Sequence, residues 1–169
     1  MDNKERIYDM TDIKQTTYKA FRAIRDMDGV PIQTKHRMLW EMLFMNGSNP
    51  YFWRVVGITE KAFDRLVENN YRLPKGNRDN KINRSHIHKR MDTSKRMLEG
   101  ELMDEDEWWE FYLDNDKCVL ATASENMMKD EEVIKHHVPD GLFLAKGYTC
   151  EVGNREVEFL KVIEDSLKK

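Results

Sequence analysis

The sequence predicts an α+β fold. A mainly helical N-terminal half leads into a C-terminal module of two strands and a helix, with a β-hairpin and a terminal helix. Three observations carry that expectation. Apolar residues recur near 3.6-residue spacing through Val67. A stretch rich in Pro, Gly and Asn from Leu73 to Ser85 then breaks the helical pattern. Beyond it stand short apolar runs of strand type, "KCVLAT" above all. The boundary falls near residue 72: 1–72 as the helical part and 73–169 as the module, or both as one compact domain.

Thr11 caps a first helix carrying Ile13, Thr17, Phe21, Ile24 and Met27, which Gly29 and Pro31 end. A second helix follows Thr34 with Met38, Leu39, Met42, Leu43 and Met45 inward, and Gly47 closes it. Asn49-Pro50 reads as a cap followed by proline at the first helical position, opening a short helix with Tyr51, Phe52, Trp53, Val55 and Val56. Thr59 caps the next helix, with Ala62, Phe63, Leu66 and Val67 on one side. "VVGITEKAFDRLVENN" also has the outline of a helix-turn-helix with Gly57 at the turn. Its outer face offers Glu60, Lys61, Asp64, Arg65 and Glu68, which is not basic, so packing of two helices is the better reading.

In the second half, Asp104 and Glu107 have capping-box spacing, and the helix after them buries Trp108, Phe111 and Tyr112. Ser124 caps "ENMMKDEEVIKHH", with His136 and His137 at the helix end facing solvent. Pro139-Asp140-Gly141 is a turn, "YTCEVGNREVEFL" a hairpin through Gly153-Asn154, and "FLKVIEDSLKK" a short amphipathic helix.

Charged residues make up 35% and hydrophobic ones 40%, the balance of a folded soluble chain. No apolar run approaches the ~20 residues of a membrane helix, and "MDNKERIYDM" lacks an apolar signal core. The expectation is a cytoplasmic protein with no membrane partner. Cys118 and Cys150 lack CxxC spacing and read as buried hydrophobes in a reducing compartment. No phosphate-binding loop, dinucleotide fingerprint or nucleophile elbow occurs.

The net charge is −3, yet it is unevenly spread. From Arg72 to Arg96 there are nine Lys/Arg against Asp79 and Asp92; from Glu99 to Asp116 there are nine Asp/Glu and no cation. Either the two blocks pair with each other, or a phosphate-binding strip lies beside a carboxylate-rich element that docks a protein partner. The acidic run itself reads as a solvated helix start stabilised by the dipole.

Within the basic block, "NRSHIHKRM" places His86 and His88 two residues apart, on one face of a strand by alternation. "DKCVLATASENMMK" resembles the closing half of HNH-type (ββα-metal) endonucleases, in the phage and intron-encoded variants that end in Asn. Their strand "N-L-x-L-x-T-x-x-E-N" is matched by Val119, Leu120, Thr122, Glu125 and Asn126, and "RSHIHKR" resembles their opening strand. The resemblance covers Asn83 to about His137. It implies a DNA-binding, phage-encoded nuclease that cuts a phosphodiester with Mg²⁺ or Mn²⁺. His86 or His88 would be the general base, Asn126 a metal ligand, and Asn115 or Asp116 further candidates for the metal. Arg84, Lys89, Arg90, Lys95 and Arg96 would grip the DNA. Ser85 or Ile87 stands where the family has its first-strand Asp, and Lys117 where it has the Asn that orients the histidine, with Asn115 and Asp116 close enough to substitute for that Asn after a small slip. The alternative is a non-catalytic factor that binds nucleic acid or assembles with protein.

Overall fold

The structure is a computed structural model that describes residues 10–44, 54–74, 81–125, 134–146 and 149–168. It is an α+β fold with helices concentrated in the N-terminal half. Among the described residues the elements run α1 (Met10–Arg25), α2 (Ile32–Phe44), β1 (Val55–Ile58), α3 (Glu60–Glu68), β2 (Ile82–His86), α4 (Arg90–Glu99) and α5 (Glu105–Asn115). Then follow β3 (Cys118–Thr122), β4 (His136–His137), β5 (Ala145–Lys146), β6 (Thr149–Cys150) and α6 (Asn154–Leu167).

The main sheet has the order β2-β3-β1-β4. β2 and β4 run antiparallel to their neighbours, and β1 runs parallel to β3. β1 comes from the N-terminal part and lies between β3 and β4, so the sheet draws on both sides of residue 72. The β2–β3 register pairs Ile82 with Thr122 and His86 with Cys118. That register puts His86 at the end of the ladder remote from Glu125.

Two cores flank the chain's middle. One joins α1, α2, α4 and α5 around Phe21, Leu39, Leu43, Met97, Trp108 and Tyr112. Trp108 is stacked between Phe21, at 5.0 Å between ring centroids, and Tyr112, at 5.8 Å. Rings this large bury enough apolar surface to dominate a small core. The other core gathers Ile58, Phe63, Leu66, Leu120 and Leu160 from the sheet, α3 and α6, with Phe143 from the loop before β5.

Two helix starts are fixed by the caps expected, whereas Thr11 and Thr34, read as helix starts, lie inside α1 and α2. Thr59 accepts from the backbone N–H of Ala62 at 3.3 Å. The Asp104–Glu107 box closes with bonds of 2.9 and 3.1 Å in the two directions. Arg25 ends α4 from outside, donating to the carbonyls of Met97 and Gly100 at 2.6 and 2.7 Å.

Other expectations are corrected. Val55 and Val56 belong to a strand, not a helix, and Gly57 lies inside that strand, so the helix-turn-helix outline fails. Gly57 is there for space: a Cβ on it would stand 2.5 Å from Cγ2 of Ile134. Gly153 is not a hairpin turn. It opens α6, and Glu156 accepts from its N–H at 2.9 Å. The hairpin lies earlier, between β5 and β6. His136 and His137 form an edge strand instead of a helix end. Met45, Gly47, Asn49-Pro50, Tyr51–Trp53 and most of the helix expected after Ser124 lie outside the described residues. No described helix is long and apolar enough to cross a membrane.

Candidate functional site

Four elements converge at the first residue of β3. β2 ends at His86, α4 starts at Arg90, and α5 ends so that Asp116 caps it and Cys118 pairs with His86. The Asp116 N–H closes α5 on the Tyr112 carbonyl at 2.9 Å, and the Ile87 N–H bonds the Lys117 carbonyl at 3.0 Å. These backbone bonds hold the two chain segments together and bring two side chains into reach. His86 Nε2 lies 3.1 Å from Asp116 Oδ1. His86 is 7% exposed and Asp116 2%.

The other nitrogen of His86 is also engaged, since Arg90 Nε donates to Nδ1 at 3.2 Å. The two partners dictate the tautomer. A carboxylate only accepts and a guanidinium only donates, so the proton sits on Nε2 and the lone pair on Nδ1. Burial pushes the pKa of His86 below its ordinary 6.5; the Asp116 bond opposes this and the charge of Arg90 adds to it. The ring is therefore neutral near pH 7. Tyr112 Oη stands 3.4 Å from both Asp116 Oδ2 and the Leu43 carbonyl. Burial raises the Tyr112 pKa well above 10, so it stays a donor. Cys118 is buried, and burial raises its thiol pKa as well, so it is no nucleophile.

The other candidates divide clearly. His88 is exposed, and β2 ends before it, so the two histidines do not share a strand face. Asn115 is half-buried, and its amide donates to the Phe111 carbonyl at 2.8 Å. Asn126 lies outside the described residues. Arg84 is 7% exposed, which removes it from a surface that could reach phosphate. Burial lowers its pKa, and neighbouring Cys118, Cys150 and Asp116 oppose that shift. Lys89, Lys95 and Arg96 are exposed and Arg90 is half-buried. Asp92 and Glu99 share the outer face of α4 with these cations, so the basic block folds into a mixed face. Among the described residues, Lys95 and Arg96 form no ion pair with α5; the acidic helix instead meets Lys14 of α1 through Asp106.

Sequence reading missed Tyr112 as a member of the site. Its signal was the spacing to Asp116, four residues apart on one helix face. Arg90 was read as a phosphate grip; its contact with His86, four residues earlier, crosses a strand-to-helix turn that spacing alone does not define.

Past the far end of β3, Glu125 is buried and held by donors on every side. Thr59 Oγ1 bonds it at 2.8 Å, Thr122 Oγ1 at 2.7 Å, Thr122 N at 3.1 Å and Lys61 N at 3.3 Å. Burial would raise its pKa, but these donors outweigh it and hold the carboxyl below the ordinary value. The T-x-x-E spacing is thus a lock between the end of β3 and the start of α3.

These residues do not themselves form a divalent-ion centre. Both oxygens of Asp116 and both nitrogens of His86 are occupied by protein groups. Among the described residues no cluster of three or more His, Cys, Asp or Glu is arranged to hold a metal ion. No protein-family model matches the chain, and no curated protein or solved structure matches it.

Proposed function

We propose that this chain binds DNA and cuts a phosphodiester in it, with His86 as the general base. The observation that carries the reading is the His86–Asp116 pair. A carboxylate on Nε2–H fixes the tautomer that leaves Nδ1 basic, and stabilises the imidazolium formed when Nδ1 takes a proton. A depressed pKa keeps the ring neutral and ready at working pH. Asp116 thereby orients the histidine, as a substitute one position from where HNH-type enzymes carry an Asn, and does not serve as a metal ligand.

Arg90 supplies the second component. Its guanidinium lies against Nδ1, and guanidinium pairs well with phosphate. When a phosphate oxygen draws Arg90 away, water can reach Nδ1. The water oxygen bonds phosphorus, its proton passes to Nδ1, and the P–O bond to the leaving oxygen breaks, that oxygen taking a proton from solvent. Lys89, next to Arg90, and Lys95 and Arg96, further along α4, are exposed and would make backbone contacts. Dependence on Mg²⁺ or Mn²⁺ and phage origin rest on the HNH resemblance alone.

A second reading is favoured by one observation: His86 is buried with both nitrogens bonded. The same cluster then serves as a polar staple joining β2, α4 and α5 in a non-catalytic nucleic-acid-binding or protein-assembly factor. Its exposed carboxylates in segment 99–116 would dock a partner.

A plasmid-nicking assay with Mg²⁺ or Mn²⁺, paired with gel shifts across salt concentration, separates the two. Nicking that is lost in His86→Ala and kept in His88→Ala supports the nuclease. Asn126→Ala reports on the metal in the same assay. Salt-dependent shifts with no nicking under either ion support the binding factor. Neither activity would leave a protein partner as the remaining reading.

A further inference from the structure

The two ends of β3 carry different chemistry. His86 pairs with Cys118, the first residue of β3, and Ile82 pairs with Thr122, the last. A strand rises about 3.3 Å per residue, so these ends are about 13 Å apart. Glu125, past Thr122, is held by Thr59, Thr122 and Lys61. An ion shared by His86 and Glu125 would have to bridge that span. At the His86 end, Asp116 has Oδ1 on His86 and Oδ2 against Tyr112. The charges that press on the imidazole from its other sides are cationic. Arg90 Nε lies 3.2 Å from Nδ1, and the charge of Arg84 also reaches the ring. An imidazole flanked by two guanidiniums suits an anion better than a divalent cation.

A base in such a place does best with a nucleophile that needs no metal. Making water nucleophilic at neutral pH is the task of a bound ion, which lowers its pKa from about 15.7 to about 7. A ribose 2′-hydroxyl is instead tethered beside its own phosphorus. Well-oriented intramolecular attack of that kind carries effective molarities on the order of 10⁵–10⁸ M. It asks the protein for a base and for a counter-charge on the phosphate.

We propose that His86 and Arg90 also cleave RNA, without a divalent ion, using the ribose 2′-hydroxyl as nucleophile. The inference rests on His86 as the base, as read above, and adds a second substrate class. Arg90 moves from Nδ1 to a non-bridging phosphate oxygen and meets the charge that grows there. Nδ1 takes the 2′-hydroxyl proton and the 2′-oxygen bonds phosphorus. The bond from phosphorus to the 5′-oxygen breaks, and that oxygen takes a proton from solvent. The products are a 2′,3′-cyclic phosphate and a 5′-hydroxyl, and the imidazolium returns its proton to solvent. Asp116 on Nε2–H stabilises that imidazolium while it lasts.

The test incubates the full chain in EDTA with a dye-labelled single strand made as RNA, as DNA of the same sequence, and as RNA with 2′-O-methyl riboses. The RNA should be cut to fragments that end in a cyclic phosphate by mass spectrometry, and the other two strands should stay intact. His86→Ala, purified in parallel and folded by circular dichroism, should be at least about a hundredfold slower, which separates the chain from a contaminating ribonuclease. Arg90→Ala should lose on the order of 10²-fold. The comparison of strands needs no variant to fold, so it decides alone if the variants do not. Intact RNA in EDTA, beside plasmid nicked with Mg²⁺ or Mn²⁺, overturns the inference and leaves the DNA reading standing. Cutting of the 2′-O-methyl strand overturns it too, because no 2′-hydroxyl is there to attack. RNA cut while plasmid stays intact upholds it and removes DNA as the substrate. Cleavage of neither polymer overturns both.

Discussion

His86 Nε2 and Asp116 Oδ1 lie 3.1 Å apart although thirty residues separate them in the chain. The contact is sealed from solvent, so it cannot be removed from one side without consequence. Asp116→Ala leaves the Nε2–H buried without its acceptor, and Tyr112 loses an acceptor too. The expected loss is about 2 kcal/mol of stability, read from urea unfolding. Asp116→Asn keeps an acceptor oxygen and should lose less.

The neutral state of His86 makes stability fall with acid. Its folded pKa lies below 6.5 because the ring is buried. Below pH 6.5 the unfolded chain takes up a proton that the folded chain refuses, so unfolding becomes easier as pH falls toward the folded value. Below that value the effect levels off. Urea midpoints at pH 7.5, 6.5 and 5.5 should fall more steeply for wild type than for His86→Asn. If His86 is the base, the nicking rate should rise with pH to half its plateau below pH 6.5.

Arg84 and the cations of α4 should separate cleanly. Arg84 is buried, so Arg84→Ala should cost about 2 kcal/mol or more of stability and leave the salt dependence of duplex binding unchanged. Lys95→Ala and Arg96→Ala should leave stability within about 0.5 kcal/mol. Each should flatten the log–log slope by about 0.9. The paired measurements are urea unfolding and a salt titration of DNA affinity.

Glu125 ties β3 to the start of α3 through four donors. Glu125→Ala leaves those donors without their acceptor and is expected to cost about 2–3 kcal/mol. Glu125→Gln keeps one acceptor oxygen and should cost less. Unfolding of both variants at pH 7 checks the order.

What was legible in the sequence was local. The Thr59 cap, the Asp104–Glu107 box and the Trp108–Tyr112 spacing each depend on residues within four positions, and each is present. Where distant packing decides, the reading failed. Val55 and Val56 show no alternation, because β1 is an interior strand of the sheet. Gly57 mimics a turn, and only the approach of Ile134 reveals why it is a strand residue. α4 went unrecognised because its outer face is polar and only Met97 and Leu98 supply long buried apolar side chains. In the site, sequence reading placed Asp116 near the histidines, yet its partner was set by the β2–β3 register, which spacing does not encode.

The most direct test is the rate at which His86→Ala nicks supercoiled plasmid beside wild type, at pH 7 with Mg²⁺ or Mn²⁺, after circular dichroism shows the variant folded. A general base contributes on the order of 10²–10⁴-fold, so the variant should be at least about a hundredfold slower. Nicking by folded His86→Ala at the wild-type rate, or wild-type protein that never nicks under either ion, would contradict the role given to this imidazole.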